Sequence, residues 1–285
     1  MLAAKRNNEG IPMKIALTQL QVNDSKQNNL DRACSFIAQS KLGGADVVML
    51  PEMFCCPYQT ENFPLYAEKV GGKAWLQLSE AARKNNIYLV AGSMPEVDEE
   101  GRVYNTSFVF DREGCQLTSH RKAHMFDIDI PGGQHFKESE TLTPGDKITT
   151  FETEFGLMGL LVCYDFRFPE MTRIMAKRGA KVIFVPAAFN MTTGPAHWDL
   201  LFRCRAQDFQ VFTVGCAPAR DEEGCYVSYA NSIVAGPWGD VKLHMGTKES
   251  LEFYDIDLNE ITKVRANFPL WSHYRKDLYE AEAIR

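Results

Sequence analysis

The sequence predicts an α/β fold, a four-layer α-β-β-α sandwich in which two sheets pack face to face between outer helices. Short apolar runs alternate with stretches of helical spacing along most of the chain, a pattern typical of parallel strands joined by helices. The chain also contains an internal echo, because residues 44–54 are GADVVMLPEMF and residues 179–189 are GAKVIFVPAAF. Each copy ends a helix, enters a buried strand and stops at a proline, so two similar halves could pack sheet against sheet.

The first half of the chain supplies predicted strands, helices and a hairpin. The strands are predicted at residues 15–20, 46–50 and 87–91, and the helices at residues 28–42 and 74–85. The hairpin pairs residues 103–110 with residues 116–120 around the turn sequence DREG. Residues 123–147 form a long irregular stretch rich in Gly, Pro and His, and loops of that length inside compact domains are usually functional.

The second half repeats the alternation. A hairpin that turns at Phe155-Gly156 is predicted within residues 151–162. Helices are predicted at residues 171–178, 196–209 and 258–266, and strands at residues 181–185, 210–216, 226–234 and 251–256. The sequence PWGD at residues 237–240 is predicted to be the turn between two hairpin arms, and a polar aromatic tail ends the chain.

Cys163 stands where an apolar run ends abruptly, and a helical pattern begins a few residues later near Pro169. Proline is well placed in a first helical turn. Cys163 is therefore predicted at the carboxyl end of a parallel strand, on a tight turn into a helix. Ligand sites collect at that edge of open α/β sheets. The turn would expose the thiol and direct the next backbone N–H groups at the group that the thiol attacks.

Composition sets broad limits on the class of protein. The chain has 285 residues, 45% of them hydrophobic, and a net charge of −6, which gives no reason to expect a nucleic acid or an anionic membrane as partner. We expect residues 1–12 to be a flexible N-terminal extension and residues 13–285 to form a single domain with a C-terminal tail. Eight scattered cysteines without a CxxC pair favour free thiols in a reducing cytoplasm and argue against a structural zinc site.

Three polar residues, Glu52, Lys122 and Cys163, stand at or just beyond the ends of apolar strands, far apart along the chain. Their surroundings are LPEMF at residues 50–54, HRKAHMFD at residues 120–127 and LVCYDFRFPE at residues 161–170. In this order they resemble the three signatures of the nitrilase (carbon–nitrogen hydrolase) superfamily, and the resemblance covers roughly residues 13–280.

The resemblance implies a Glu-Lys-Cys triad in a sandwich of the nitrilase type. Glu52 would act as general acid and base, Cys163 would attack an amide carbon to give a thioester, and water would hydrolyse the thioester. Lys122 and the backbone N–H of Tyr164 would stabilise the oxyanion. The resemblance also implies that Glu138 orients Lys122 or assists water, and that the protein is a homodimer, with the tail around residues 271–274 crossing to the partner. The chemistry requires no metal and no cofactor.

The substrate is predicted from shorter stretches that resemble the omega-amidase branch, namely residues 188–198, 217–221 and 229–232. That branch deamidates alpha-ketoglutaramate and alpha-ketosuccinamate to a dicarboxylate and ammonia. Such substrates carry a carboxylate at the end remote from the amide, so the pocket needs donors. The candidate substrate-binding residues are Arg167, Tyr58, Thr192, Tyr164 and Phe189. A structural Arg167 paired with Asp165 or Glu170 is an equal alternative.

Other functions stay open at this point. A papain-like mechanism would pair Cys163 with His197 or His124, although no motif places either imidazole beside the thiol. The nearest competing substrates are deaminated glutathione and a carbamoyl amine. A protein of another class, a non-catalytic scaffold that has kept the fold, would not need Glu52, Lys122 and Cys163 together.

Overall fold

The computed structural model describes residues 12–129 and 135–282. Most of the predicted N-terminal extension, residues 1–11, lies outside the described residues, as do residues 130–134 and 283–285. Two sheets pack face to face and helices cover their outer faces, as the sequence predicts. The architecture is the α-β-β-α sandwich.

The first sheet has seven strands in the order β15-β1-β2-β3-β5-β4, with β6 added on β5. Strands β1, β2 and β3 are parallel, and the other pairings are antiparallel. The strands of this sheet are β1 Met13–Gln19, β2 Val47–Met49, β3 Tyr88–Val90, β4 Met94–Val97, β5 Val103–Phe110, β6 Gln116–Arg121 and β15 Ser250–Ile256.

The second sheet has six strands in the order β14-β13-β12-β11-β10-β9, with β10, β11 and β12 parallel. Its strands are β9 Thr149–Thr153, β10 Gly156–Leu160, β11 Val182–Pro186, β12 Phe212–Cys216, β13 Ile233–Ala235 and β14 Val241–His244. A separate two-stranded ribbon of β7 Asp127–Asp129 and β8 His135–Lys137 lies in the stretch that the sequence predicts to be irregular.

Three apolar clusters account for the layers. The central cluster joins side chains from the facing sides of both sheets, such as Ile15 and Leu17 of β1 with Phe184 of β11. Because side chains alternate across a strand, Ala16 faces the other way and packs under the helices of the first half. A third cluster fills the space between the second sheet and its helices. Burial of these faces on both sides explains why the strands are continuous apolar runs.

The helices begin and end at recognisable signals. Ser25 caps the first helix by accepting a hydrogen bond from the Asn28 backbone N–H at 3.2 Å. Pro169 occupies the first turn of its helix, as predicted. The helices are α1 Lys26–Leu42, α2 Asn62–Tyr66, α3 Lys73–Asn85, α4 Pro169–Lys177, α5 Gly194–Phe209, α6 Asn259–Asn267 and α7 Lys276–Glu282.

The predicted strand at residues 226–234 is wrong over most of its length. Only the short strand β13 is regular there, because Ala230 and Asn231 both have φ of 59°, which no extended strand allows. The Arg220 side chain provides hydrogen-bond donors for two backbone carbonyls of this loop, those of Ser228 and Tyr229. Strands β4 and β14 are not predicted from the sequence, and β14 is the second arm of the hairpin that turns at residues 237–240.

Candidate active site

The predicted catalytic residues of the first half meet in a buried cluster. Glu52 follows β2, Lys122 follows β6, and Glu138 begins a short 3-10 helix, Glu138–Glu140, after β8. All three side chains are fully buried. Lys122 Nζ lies 3.2 Å from Glu52 Oε1 and 2.8 Å from Glu138 Oε1. One ammonium group therefore bridges two carboxylates, and none of the three side chains is exposed at the protein surface.

Glu52 is held from both halves of the molecule. Asn105, in the middle of β5, donates its side-chain amide to Glu52 Oε1 at 2.9 Å. The backbone N–H of Ala188, just after β11, donates to Oε2 at 2.7 Å. The turn that carries Glu52 is tight, since Met53 has φ of 49° and its N–H donates to the Ser93 hydroxyl. These contacts fix the direction in which the carboxylate presents its oxygens.

Cys163 lies at the start of a 3-10 helix, Cys163–Arg167, which leads directly into α4. Its φ is 46°, in the left-handed region, and the residue is 6% exposed. Burial, and then the negative charge of Glu52, raise the pKa of the Cys163 thiol well above its usual range, and Lys122 opposes this. A raised pKa favours the thiol over the thiolate, so a nearby base would assist attack by the sulfur.

The ammonium and the carboxylates of the cluster stabilise one another's charged forms. Burial disfavours the ammonium of Lys122, but the neighbouring Glu138 and Glu52 carboxylates more than offset this and raise its pKa above the ordinary value. Burial raises the pKa of Glu138, and Lys122 opposes that rise. An ammonium group has three N–H donors, and among the described residues Lys122 uses two of them on carboxylates. The third is available to a bound oxygen.

Tyr58, which the sequence predicts to bind substrate, also belongs to this cluster. The hydroxyl lies 2.7 Å from Glu138 Oε1 and 3.2 Å from Glu52 Oε1. The phenol ring stacks on Phe136 and packs against Tyr226. A single hydroxyl proton is thus shared between two carboxylates, and the structure gives Tyr58 a place beside the acids.

Two adjacent cavities lie here, and the larger one borders the cluster. The smaller one, of about 10 Å³, is lined by Cys163 and three of the five predicted substrate-binding residues, Tyr164, Arg167 and Phe189. Thr192 is absent from that lining, whereas its neighbour Thr193 is part of it. The larger cavity, of about 390 Å³, is bordered by Glu52 and Tyr58. Ala188 and Tyr226 line both cavities.

Arg167 has no carboxylate partner among the described residues, so neither predicted pairing, with Asp165 or with Glu170, is formed. Its guanidinium lies 3.1 Å from His197 Nδ1 and 4.7 Å from the centre of the Phe189 ring. Burial lowers the pKa of Arg167 from its ordinary value, although a guanidinium stays charged. A half-buried cation beside the thiol is suited to receive an anionic group.

Neither imidazole of the alternative mechanism is hydrogen-bonded to the thiol in the described part of the chain. His197 Nδ1 is occupied by Arg167. His124 Nδ1 lies 2.8 Å from Asp165 Oδ1, and its ring stacks on Phe168. Both rings have other partners, so the geometry favours Glu52 as the base.

Residues 12–129 and 135–282, the part of the chain that the structure describes, contain no group of three or more His, Cys, Asp or Glu side chains arranged to hold a metal ion. None of the helices in these residues combines the length and apolar character that crossing a bilayer requires.

Comparison with known proteins decides the family. A family model described as carbon-nitrogen hydrolase matches residues 14–266. The chain belongs to the carbon–nitrogen hydrolase family. It is 48% identical over 270 residues to omega-amidase NIT2 of Bos taurus, covering 95% of this chain and 98% of the relative.

Solved structures agree with this assignment. Saccharomyces cerevisiae Nit3, a member of branch 10 of the nitrilase superfamily, has a TM-score of 0.84 and 38% identity over 91% of this chain and 95% of that one. A glutamate variant of the Nesterenkonia sp. AN1 amidase has a TM-score of 0.75 and 28% identity over 93% of this chain and 98% of that one. It shows covalent addition of the acetamide moiety of fluoroacetamide at the active site cysteine. The predicted superfamily and the predicted fold class are confirmed.

Proposed function

We propose that the protein is an omega-amidase that hydrolyses the terminal amide of 2-oxo dicarboxylic acid monoamides to a dicarboxylate and ammonia. The observation that carries the proposal is the buried Cys163 thiol, which lies within reach of the Glu52 and Lys122 charges and lines a small cavity together with Arg167, a cation without a carboxylate partner among the described residues. The 48% identity to a relative named omega-amidase over nearly the whole chain supports the same substrate class.

In the proposed acylation step, Glu52 takes the thiol proton while the sulfur of Cys163 bonds to the amide carbon. The amide oxygen becomes an oxyanion, which the third N–H of Lys122 and the backbone N–H of Tyr164 stabilise. Such donors are worth about 3–4 kcal/mol each in other enzymes. When the C–N bond breaks, Glu52 gives its proton to the leaving nitrogen and ammonia departs.

In the proposed deacylation step, Glu52 removes a proton from water as its oxygen bonds to the thioester carbon. The C–S bond then breaks and the proton returns to sulfur. Glu138 does not need to exchange a proton in either step. It accepts hydrogen bonds from Lys122, from Tyr58 and from the Phe126 backbone N–H at 2.7 Å, which supports a role in orienting Lys122.

Arg167 is the proposed partner of the substrate's remote carboxylate. Arginine forms strong paired hydrogen bonds with carboxylates, and the half-buried position strengthens the attraction. Phe189 and Tyr164 flank the guanidinium and would enclose the carbon chain between the carboxylate and the amide. Among the described residues, the lining of the smaller cavity therefore combines a cation with a nucleophile.

The test is a steady-state comparison of ammonia release from alpha-ketoglutaramate and from an uncharged amide of similar length. Arg167→Ala should raise KM for alpha-ketoglutaramate by ten-fold or more and leave KM for the uncharged amide nearly unchanged. Arg178→Ala, on a surface arginine that donates to the Ile148 carbonyl, is the matched control. The variant Cys163→Ser, which lacks the thiol, gives the background rate of ammonia release. An equal rise in KM for both amides would show that Arg167 does not bind the substrate's carboxylate.

The same assay separates the competing functions. Faster release from deaminated glutathione, or from a carbamoyl amine, would replace the omega-amidase proposal with that activity. No release from any amide, together with a Cys163 thiol that does not react with iodoacetamide, would favour a non-catalytic scaffold.

We also propose that residues 13–285 act as one domain, and that the protein is a cytoplasmic homodimer. The free cysteines among the described residues support a reducing compartment. The exposed Trp238 packs on Phe268 near the C-terminal segment and offers an apolar contact surface. Within one chain, Trp271 donates to the Phe209 carbonyl and Tyr274 receives the Arg173 guanidinium. Light scattering of the purified protein tests the dimer.

A further inference from the structure

We infer that Asp165 is a positioning residue that holds the turn of Lys122 against the turn of Cys163, so that the ammonium and the thiol meet one substrate. The inference rests on the proposed function, because it assigns Asp165 a part in the same amide hydrolysis. Asp165 does not touch the predicted substrate cavity and is fully buried. Its role is therefore to fix other residues.

The carboxylate of Asp165 collects donors from the segment that follows Lys122. The backbone N–H groups of Ala123 and His124 donate to Oδ1 at 3.0 and 2.8 Å. The His124 ring nitrogen Nδ1 lies 2.8 Å from the same oxygen. Asp165 is two residues beyond the nucleophile and Ala123 is one residue beyond the lysine. A displacement of this carboxylate would move both reacting groups relative to each other.

A second connection runs through His120, which lies two residues before Lys122. Its Nε2 lies 2.9 Å from Asp165 Oδ2, and its Nδ1 lies 3.0 Å from the Thr149 hydroxyl. Both His120 and Asp165 are buried. The backbone N–H of Val162 also points at Oδ2, at 3.4 Å. Asp165 thus contacts the chain on both sides of Lys122 and the residue just before Cys163.

The chemistry of the donors explains why a carboxylate is needed here. Two backbone N–H groups cannot become acceptors, and each imidazole presents a ring nitrogen to the same group. An aspartate accepts at both oxygens, whereas an asparagine has one accepting oxygen and a donating NH₂ group. In Asp165→Asn, the NH₂ group would face a backbone N–H at either position, those of Ala123 and His124 at Oδ1 or that of Val162 at Oδ2. The two turns would have to separate to relieve the conflict.

The experiment compares Asp165→Asn with Asp46→Asn. Asp46 is the matched control because its carboxylate also accepts from a backbone N–H, that of Lys14, and from a side chain, that of Arg112, but lies outside the site. Asp165→Asn should lower kcat on alpha-ketoglutaramate about 100-fold, because a misplacement of about 1 Å costs that much. KM should change less than three-fold, since Arg167 keeps its own contacts. Asp46→Asn should leave kcat unchanged.

The rate of Cys163 alkylation by iodoacetamide is the second readout, and it needs no amide turnover. It should fall with Asp165→Asn and stay unchanged with Asp46→Asn. If the wild-type protein releases ammonia from no amide, the proposed function fails while alkylation still tests the position of the thiol. If Asp165→Asn does not fold, His124→Ala removes one of the contacts at the protein surface and should lower kcat three- to ten-fold.

A kcat and an alkylation rate within two-fold of wild type in folded Asp165→Asn would overturn the inference. So would a fall in melting temperature without a change in kcat, because that result would give Asp165 a purely structural role. An unchanged kcat in His124→Ala would count against it in the same way.

Discussion

The two halves of the molecule are alike in backbone and unlike in chemistry. Gly44 and Gly179 both have positive φ, of 80° and 103°, immediately before the two copies of the internal echo enter β2 and β11. Helices α3 and α5 end alike, at Asn86 and Gln210, each left-handed with φ near 48–49° and ψ of 55°. The predicted similarity of the two strand entries is therefore present in the described backbone.

The difference lies in the residues that follow the two prolines. After β2 the chain places Glu52, whereas the equivalent position of the second half is Ala187. The next residue, Ala188, donates its backbone N–H to the Glu52 carboxylate. The first copy therefore supplies a side chain and the second supplies a main-chain donor to hold it. A repeated backbone can serve one asymmetric site because only one copy needs the reactive group.

We expect the largest effect from replacing Glu52, the residue that distinguishes the first copy of the echo from the second. Glu52→Gln keeps the shape of the side chain but removes the proposed base, so the neutral thiol loses its proton acceptor. We expect kcat to fall by about 10²- to 10⁴-fold. The measurement is ammonia release from alpha-ketoglutaramate, and it should be accompanied by circular dichroism to establish that the variant is folded.

Glu80→Gln is the control for that substitution, because Glu80 is an α3 carboxylate paired with Arg83 far from the cluster. It should leave kcat within two-fold of wild type. If Glu52→Gln retained more than a tenth of the wild-type kcat, the base would have to be another group.

We expect an intermediate effect from protonation of Asp165, whose carboxylate joins the turn of Lys122 to the turn of Cys163. Burial raises the pKa of Asp165, but hydrogen bonds from His120 and His124 outweigh it and hold the pKa at about 2, below the ordinary 3.8. Asp165 therefore contributes stability that is complete above about pH 4 and is lost as the pH falls towards 2. The contribution is roughly 2 kcal/mol.

Urea unfolding at pH 7, 4 and 3 measures this contribution. The free energy of unfolding of wild type should fall more steeply between pH 4 and 3 than that of Asp165→Asn, which has no carboxyl to protonate there. The titratable groups around it are His120, His124 and Lys122, and all three remain in the variant. Parallel pH profiles for the two proteins would contradict the assignment.

The smallest effect tests whether the two strand entries are equivalent. A Cβ on Gly44 or on Gly179 would meet no atom within 4 Å, so alanine at either position adds backbone strain and no clash. Gly44→Ala and Gly179→Ala should each lower the free energy of unfolding by about 1–2 kcal/mol. Gly246→Ala is the control, because its Cβ also meets nothing and its φ is not left-handed. Unequal costs would show that the halves carry different strain.

Much of the fold and part of the site could be predicted from the sequence. The strand ends at Glu52 and Cys163 are recognisable because apolar runs stop there, whereas Lys122 follows the polar strand QLTSHR and is assigned through the resemblance. The partners of these groups were harder to predict. Asn105 lies inside a strand that is otherwise apolar or hydroxylic, and that buried amide was the available signal. The Ala188 donor is a backbone N–H, which no residue type reveals.

What the sequence did not reveal has physical reasons of the same kind. Tyr58 stays a predicted substrate-binding residue, but its hydroxyl also contacts two carboxylates of its own chain, which residue type alone does not signal. Asp165 was considered only as a partner of Arg167, since neighbours in sequence are the simplest pairing. Its donors lie about forty residues away and include backbone groups. The loop at residues 226–232 contains non-glycine residues with positive φ, which composition does not signal.

The left-handed backbone at Cys163 has a consequence for mutational scanning of this position. Residues branched at Cβ, such as Thr and Val, are rarely accommodated at such a φ. Their substitution would damage the turn as well as delete the sulfur, so a saturation library would mix two causes of inactivity. Serine differs from cysteine by a single atom and leaves the turn intact, which makes it the informative replacement for judging what sulfur itself contributes.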